Sequence, residues 1–546
     1  MLIIKSRKQR PLGLNEPLKH GSHKKPVTRR DFLAQGFLTG SATVVAPAIL
    51  GAVLGARRAQ AQTVPLSPDI DFLADPQNDI CNIQQGAGKI PFICFDLAGG
   101  ANIAGSNVLV GQAGGQMDFL STQGYSKLGL PGTMLPNNPT TNFVNTEFGL
   151  AFHSDSAFLR GMLEKTSATT RAGVNGAVIA ARSENDTGNN PHNPMYGIAK
   201  AGPGGEGARG ELLTLIGSQN SDSGGNSMAP AMLMDPANRP TKIDRASDAS
   251  GLVDTGALGT LFTTPQGQPD TASTVAVMEQ MARISEQKLL KVDPGTGLAD
   301  AARLETQVKC GYVRTADTVS RFSSPAAINP ALDPDITGTG GVFGANFGND
   351  GEFQKTASVM KLVVEGYAGA GTISMGGFDY HTGDRSTGEL RDLRAGRCIG
   401  AALEFAARRG KQLMIYVFSD GSLSSNGMVD NSVDGRGKGQ WTGDNQQTAA
   451  SFFLVYNPPT SGGRPQLLTS GTGGAARHQQ IGYYSAGGDV VNSSSPAANN
   501  VNLLVQTVLL NYMALHNEAG LYNGIFGNAL GTGTALDGLI AFAPIR

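Results

Sequence analysis

The stretch Thr372–Gly421, TISMGGFDYHTGDRSTGELRDLRAGRCIGAALEFAARRGKQLMIYVFSDG, decides the fold. Two apolar runs, Thr372–Met375 and Leu413–Phe418, flank one long amphipathic helix pattern. Such a strand, crossover helix and strand make a βαβ unit, whose two strands are expected to be parallel. Each run ends in Gly or Ser and then an acid: Asp379 with His381 after the first, Asp420 after the second. In an open parallel sheet, ligands gather outside the carboxyl ends of the strands. Both acids and the histidine are therefore expected on one edge, an arrangement suited to a metal or a phosphoryl group.

Outward from this unit the same alternation continues. Pro91–Leu97 is an apolar run closed by Gly99 and Gly100, and Gly176–Ala181 and Ala450–Tyr456 read as further strands. Helix patterns cover Ser156–Lys165 (capped by Ser154 or Asp155), Phe353–Ala368, Gly388–Arg409 and Val501–His516. Strands alternating with helices predict an α/β fold, a mostly parallel sheet covered by helices on both faces. Residues 202–350 interrupt the pattern with Gly-, Ser- and Pro-rich stretches around two helices, Thr271–Val292 and Ala301–Phe322. This region is expected to be a loop-rich and helical insertion or subdomain.

Composition narrows the function. Of 546 residues 74 are Gly and only 16% are charged, which suits many loops and a weakly charged surface. The net charge of −1 hides an asymmetry: residues 1–61 carry 11 Lys and Arg against 2 acids, leaving 32 basic and 42 acidic residues beyond them. An acidic body with one Trp and no basic stripe argues against nucleic-acid binding. The basic excess reads as an export leader. Thr28-Arg29-Arg30-Asp31-Phe32-Leu33 matches the twin-arginine signal, a mildly apolar run follows to Ala56, and Ala59-Gln60-Ala61 offers a cleavage site. Periplasmic or other export by the twin-arginine translocation machinery is the expectation, with no stable membrane span after cleavage. Cys81, Cys94, Cys310 and Cys398 have no C-x-x-C spacing, which excludes the usual zinc and iron–sulfur patterns. Cys94 and Cys398 read as buried thiols; a Cys81–Cys310 disulfide after export stays open.

Asp379, His381, Asp420 and Asp444, the last in Gly443-Asp-Asn445, form a carboxylate and imidazole set able to hold Zn²⁺, Mn²⁺ or Mg²⁺. The plainer reading of each acid is a turn residue or helix cap, and it is preferred for Asp384 and Asp392. Nucleophile candidates are Ser106, after the first strand, and Ser154, before the short helix. His153 and His192 are loop histidines able to approach the site. For Ser106 and Ser154 the plainer readings, loop residue and N-cap, weigh more.

The segment Phe353–Asp420 resembles a family of twin-arginine-exported bacterial proteins, the domain of unknown function numbered fifteen-oh-one. That family belongs to the alkaline phosphatase and sulfatase superfamily. Its G-G-W-D-T-H, S-E-F-G and G-T-D-H-G motifs are matched by Gly376-Gly-Phe-Asp-Tyr-His381, Ser419-Asp-Gly421 and Gly443-Asp-Asn445. Its early G-G-N-D, G-L-H-P and R-S-H are matched by Gly99-Gly-Ala-Asn102, Gly149-Leu-Ala-Phe-His153 and, loosely, Arg182-Ser183 with His192. The likeness runs in order through most of the chain beyond the leader, with 202–350 poorly covered. It implies an alkaline-phosphatase-like fold and a metal site. It also marks departures: Ala101-Asn102 stands where the family has an acid, so that ligand is missing or replaced by Asn102 or Asp96. Asn445 replaces a histidine, and no histidine follows Asp420. What remains is one metal held by Asp379, His381 and Asp420, with Asp444 and Asn102 as further ligands. Two functions stay open: a non-catalytic or weakly active envelope protein, and a metal-dependent hydrolase of phosphate or sulfate esters.

Overall fold

The computed structural model describes residues 64–75, 80–81, 88–184, 190–254, 261–267, 270–289, 291, 300–322, 325–471 and 473–546. The expected export leader, residues 1–61, lies outside the described residues. The strands are β1 (Phe92–Leu97), β2 (Val144–Asn145), β3 (Phe152–His153), β4 (Val174–Ile179), β5 (Leu213–Gly217), β6 (Thr241–Lys242), β7 (Ala368–Met375), β8 (Leu413–Phe418), β9 (Leu423–Asp430), β10 (Lys438–Asp444), β11 (Ser451–Tyr456) and β12 (Gln480–Ile481). The helices used below are α1 (Pro68–Ala74), α2 (Ala157–Lys165), α3 (Met195–Lys200), α4 (Thr271–Leu289), α5 (Asp300–Arg321), α6 (Gly351–Val364), α7 (Ser386–Arg408) and α8 (Val501–Leu515). No helix of the described residues is long and apolar enough to cross a membrane.

The chain divides into two compact units. One gathers α1 with α4 and α5, and the Cys81–Cys310 disulfide ties its N-terminal segment to α5. Within it the Arg283 guanidinium grips Asp69 at 2.7 Å, holding that carboxyl down to about 2, with burial opposing. The boundaries differ from the expected 202–350 insertion, because residues 202–254 and 325–350 cluster with the sheet. β5 and β6, which lie in that stretch, complete the sheet edge, and this pairing has no local sequence signal.

The other unit is built on an eight-stranded sheet of order β12-β4-β11-β8-β1-β7-β5-β6, parallel throughout except for β11. The β1 run FICFDL is wholly buried, as a central parallel strand covered on both faces must be. Its Phe92 and Cys94 share a core with Met195 and Tyr196 of α3 and Leu504 and Val508 of α8. On the opposite face α6 packs on β7, and α7 lies against α2 and α6. The crossing of α7 with α2 depends on glycine: a Cβ at Gly396 would fall 2.3 Å from the Phe158 carbonyl oxygen, and one at Gly161 2.4 Å from that of Leu393. Ser156, rather than Ser154 or Asp155, caps α2, its Oγ accepting from the Leu159 N–H at 3.1 Å.

Candidate metal centre

β7 and β8 are parallel but not neighbours, for β1 runs between them and pairs with both. The crossover helix α7 thus skips one strand position. The glycine turn after β1 consequently sits between the segments carrying Asp379 and Asp420. Strand β11 is antiparallel, so its N-terminal end meets the carboxyl ends of its parallel neighbours. That reversal is what returns Asp444 to this edge. The hairpin β9–β10 is then hooked to the loop beyond His381: the Gly383 N–H donates to the Trp441 carbonyl at 2.9 Å, and the Trp441 N–H to that of Asp384 at 3.0 Å.

Asp379, His381 and Asp444 converge, each offering one ligand atom within 4.8 Å of the others. His381 Nε2 lies 2.7 Å from Asp379 Oδ1 and 3.9 Å from Asp444 Oδ1. The side chains are 36% exposed for His381 and 53% for each acid, so the cluster opens to solvent. Two carboxylates and an imidazole fit Zn²⁺ or Mn²⁺ and leave coordination positions for water or a ligand.

Asp420 and Asn102 stand apart from this trio. The Asp420 side chain is buried, and its Oδ1 accepts from the Gly99 N–H at 2.8 Å. Asn102 turns inward, its Nδ2 donating to Ser106 Oγ at 3.2 Å, while its Oδ1 has no partner among the described residues. Asp96 is also buried, accepting from the Ser227 N–H and Oγ at 2.8 and 2.9 Å. Burial raises the Asp96 carboxyl to about 6; the Ser227 N–H opposes this and the Asp420 charge reinforces it.

The nucleophile and base candidates are placed elsewhere. Ser106 is buried beneath Asn102. Ser154 is exposed in the turn before α2, with its N–H on the Phe143 carbonyl. The His153 ring stacks on Phe143, its centroid 5.2 Å away, and Nε2 lies 2.9 Å from the Met134 carbonyl oxygen. Burial, then the Lys438 charge, lowers it to about 4. His192 stacks on Phe418, is lowered to about 3 by burial, and neither ring nitrogen has a hydrogen-bond partner among the described residues.

Two groups around the site escaped sequence reading. Asp392 is not a turn or cap residue but lies buried within α7, accepting from Tyr380 Oη at 2.8 Å and Asn107 Nδ2 at 2.7 Å. Burial, aided by the Glu389 charge, pushes it up to about 7. Asp384 does act as a cap, accepting from the Thr387 N–H at 3.2 Å. The second group is a buried charge cluster. Glu389 accepts from Arg385, Lys438 and Arg160 at 2.8, 2.9 and 2.7 Å, and the Arg385 guanidinium lies 4.4 Å from the Trp441 ring centroid. An acid four residues after Arg385 on a helix was the available signal; the approach of Lys438 from β10 was not. Comparison of the chain with protein-family models, with curated proteins and with solved structures gave no match.

Proposed function

We propose that this chain is an exported protein with an alkaline phosphatase and sulfatase type of fold that binds one divalent cation, Zn²⁺ or Mn²⁺, through Asp379, His381 and Asp444. Its role is binding in the cell envelope, with little or no turnover. The convergence of three ligand side chains within 4.8 Å, from a strand-end loop and a separate hairpin, carries the reading. The likeness of Gly376–His381, Ser419–Gly421 and Gly443–Asn445 to the fifteen-oh-one family supports the fold type and the export. The Cys81–Cys310 disulfide suits an oxidising compartment. Weak turnover follows from the surroundings: Ser106 is sealed in the interior, and His153 and His192 are held neutral by burial, stacked on Phe143 and Phe418.

A metal-dependent hydrolase of phosphate or sulfate esters is the second reading, favoured by the exposure of the trio to solvent. A bound cation would polarise an ester oxygen and acidify a water. Asp379, Asp444 and the Nε2 of His381 would be the side chains that hold it. Elemental analysis of the natively exported protein, with calorimetric titration of Zn²⁺ and Mn²⁺, tests the first reading. About one ion per chain, lost in Asp379→Ala and His381→Ala, is expected. A metal-free protein that takes up neither ion overturns it. Turnover of aryl phosphate or aryl sulfate, abolished by the same substitutions, would move the conclusion to the hydrolase.

A further inference from the structure

Between the exposed Asp379 and the half-buried His381, Tyr380 points inward and is 2% exposed. Its hydroxyl is fixed from both sides: it accepts from the Asn102 N–H at 3.1 Å and donates to Asp392 Oδ1 at 2.8 Å. Asp392 is held in turn by Asn107 Nδ2, and Asn107 Oδ1 accepts from Ser156 Oγ at 2.8 Å at the cap of α2. The ring has no room to swing, since a Cβ at Gly388 would lie 2.8 Å from Tyr380 Cε2 and Phe378 packs at 6.1 Å between centroids. The backbone of 379–381 is thereby pinned to α7, a rigid element of 23 residues, and to the turn after β1. Exposed ligands on a loop keep their spacing only if something buried holds the loop.

We infer that Tyr380, acting through Asp392, is the positioning residue of the Asp379–His381 pair and sets the affinity of the cation site. Removing the phenolic oxygen leaves the Asn102 N–H and the Asp392 carboxylate without their shared partner. The loop then samples spacings in which Asp379 and His381 no longer face Asp444 together. The inference rests on the cation reading above for its affinity arm only. Loss of a comparable supporting hydrogen bond around a metal ligand lowers affinity about 10- to 100-fold.

The test uses the full exported chain as wild type, Tyr380→Phe, Asp392→Ala and the double variant. Two readouts are taken: Zn²⁺ affinity by calorimetry, and amide hydrogen exchange over residues 376–384 in the metal-free protein. Tyr380→Phe is expected to weaken Zn²⁺ binding about tenfold and to speed exchange in that loop, while exchange in β1 and β8 stays unchanged. The double variant is expected to be no weaker than the worse single one, because both act through one hydrogen bond. Unchanged loop exchange in Tyr380→Phe overturns the positioning role, whether or not zinc binds. Additive losses in the double variant overturn the route through Asp392. A wild type that takes up no zinc, with a loop that loosens in Tyr380→Phe, overturns the cation reading and leaves the pin standing.

Discussion

The N–H of Gly99 donates to Asp420 Oδ1 at 2.8 Å, so the acid that follows β8 is tied to the turn that follows β1. On its other side Gly99 leaves no room, for a Cβ there would lie 2.6 Å from the Asp379 amide nitrogen. Its φ of +122° is also one that L side chains rarely adopt. One glycine thus spaces the two acids that the sequence placed on a common edge.

Gly99→Ala is therefore expected to be costly twice over, through backbone strain and through a forced shift of the Asp379 loop. Each contributes about 1–3 kcal/mol, so the loss is about 2–6 kcal/mol. Urea unfolding of the wild type and the variant measures it. A loss of less than about 0.5 kcal/mol, the range of inert surface changes, would show that the loop yields freely.

His192 gives a prediction of opposite sign. Neither of its ring nitrogens has a hydrogen-bond partner among the described residues, and a buried polar group left so forfeits hydration worth about 1–3 kcal/mol. His192→Leu is expected to raise stability near neutral pH by about 1 kcal/mol, the lost stacking on Phe418 offsetting the rest. The sign with pH follows from the folded value of about 3, below that of the unfolded chain. Between these values the unfolded chain binds more protons, so wild-type stability gains from His192 as pH rises from about 3 to about 6.5. That part of the slope should vanish in His192→Leu. A variant that is destabilised by several kcal/mol would mean that the ring nitrogens hold a partner in solution.

How much of this was legible depended on the range over which the signal was local. The β8 run Leu413–Phe418 coincides with the observed strand, because six consecutive apolar residues admit little else. The entry of β1 between β7 and β8 left no such trace, since it joins residues more than two hundred positions apart. The hairpin β9–β10 carries little local signal, because LSSNGMVD has no alternation of apolar and polar residues; its far end, residues 426–430, is largely exposed. Asp444 reached the site through the reversal of β11, where the alternation of helices and strands had argued for parallel pairing. Asp392 was misjudged because aspartate usually marks caps, and its burial follows only from Tyr380 and Asn107, which are distant or unremarkable in sequence.

Asp392 sets a pH dependence that the amide isostere isolates. Its carboxyl is raised to about 7 when folded, above the ordinary carboxylate value, so the folded chain binds the extra proton between about pH 4 and pH 7. Wild-type stability from this group therefore falls as pH rises through that window, by up to about 1.4 kcal/mol per pH unit. Asp392→Asn carries no such proton. Whatever fixed cost the amide brings against Asn107, the variant should gain on the wild type from about pH 4 to about pH 7 in paired urea titrations. Parallel profiles across this range would show that Asp392 keeps an ordinary carboxylate value.

The cluster around Glu389 connects stability to the site through the hairpin. Burial alone would raise this carboxyl, but the Lys438 and Arg385 charges win and hold it below its usual range. Lys438 is fully buried, at the start of β10, and bridges Glu389 and Asp155 at 2.9 and 3.2 Å. Glu389→Gln leaves the ammonium and two guanidiniums with Asp155 as the acid facing Lys438, an uncompensated burial worth about 3–5 kcal/mol. Because Lys438 and Asp444 end the same strand, the substitution should also loosen Asp444 and weaken Zn²⁺ uptake at the proposed site. Lys438→Met alone removes a cation but strands part of the acid. Combining the two should cost at least about 2 kcal/mol less than the sum of the single losses, since neither charge is then left alone. Urea unfolding of the four proteins closes that cycle. Simple additivity would mean that Glu389 and Lys438 are each compensated by Arg385 and Asp155 instead, and that the hairpin is held by Trp441 and its backbone pairing with Gly383 and Asp384.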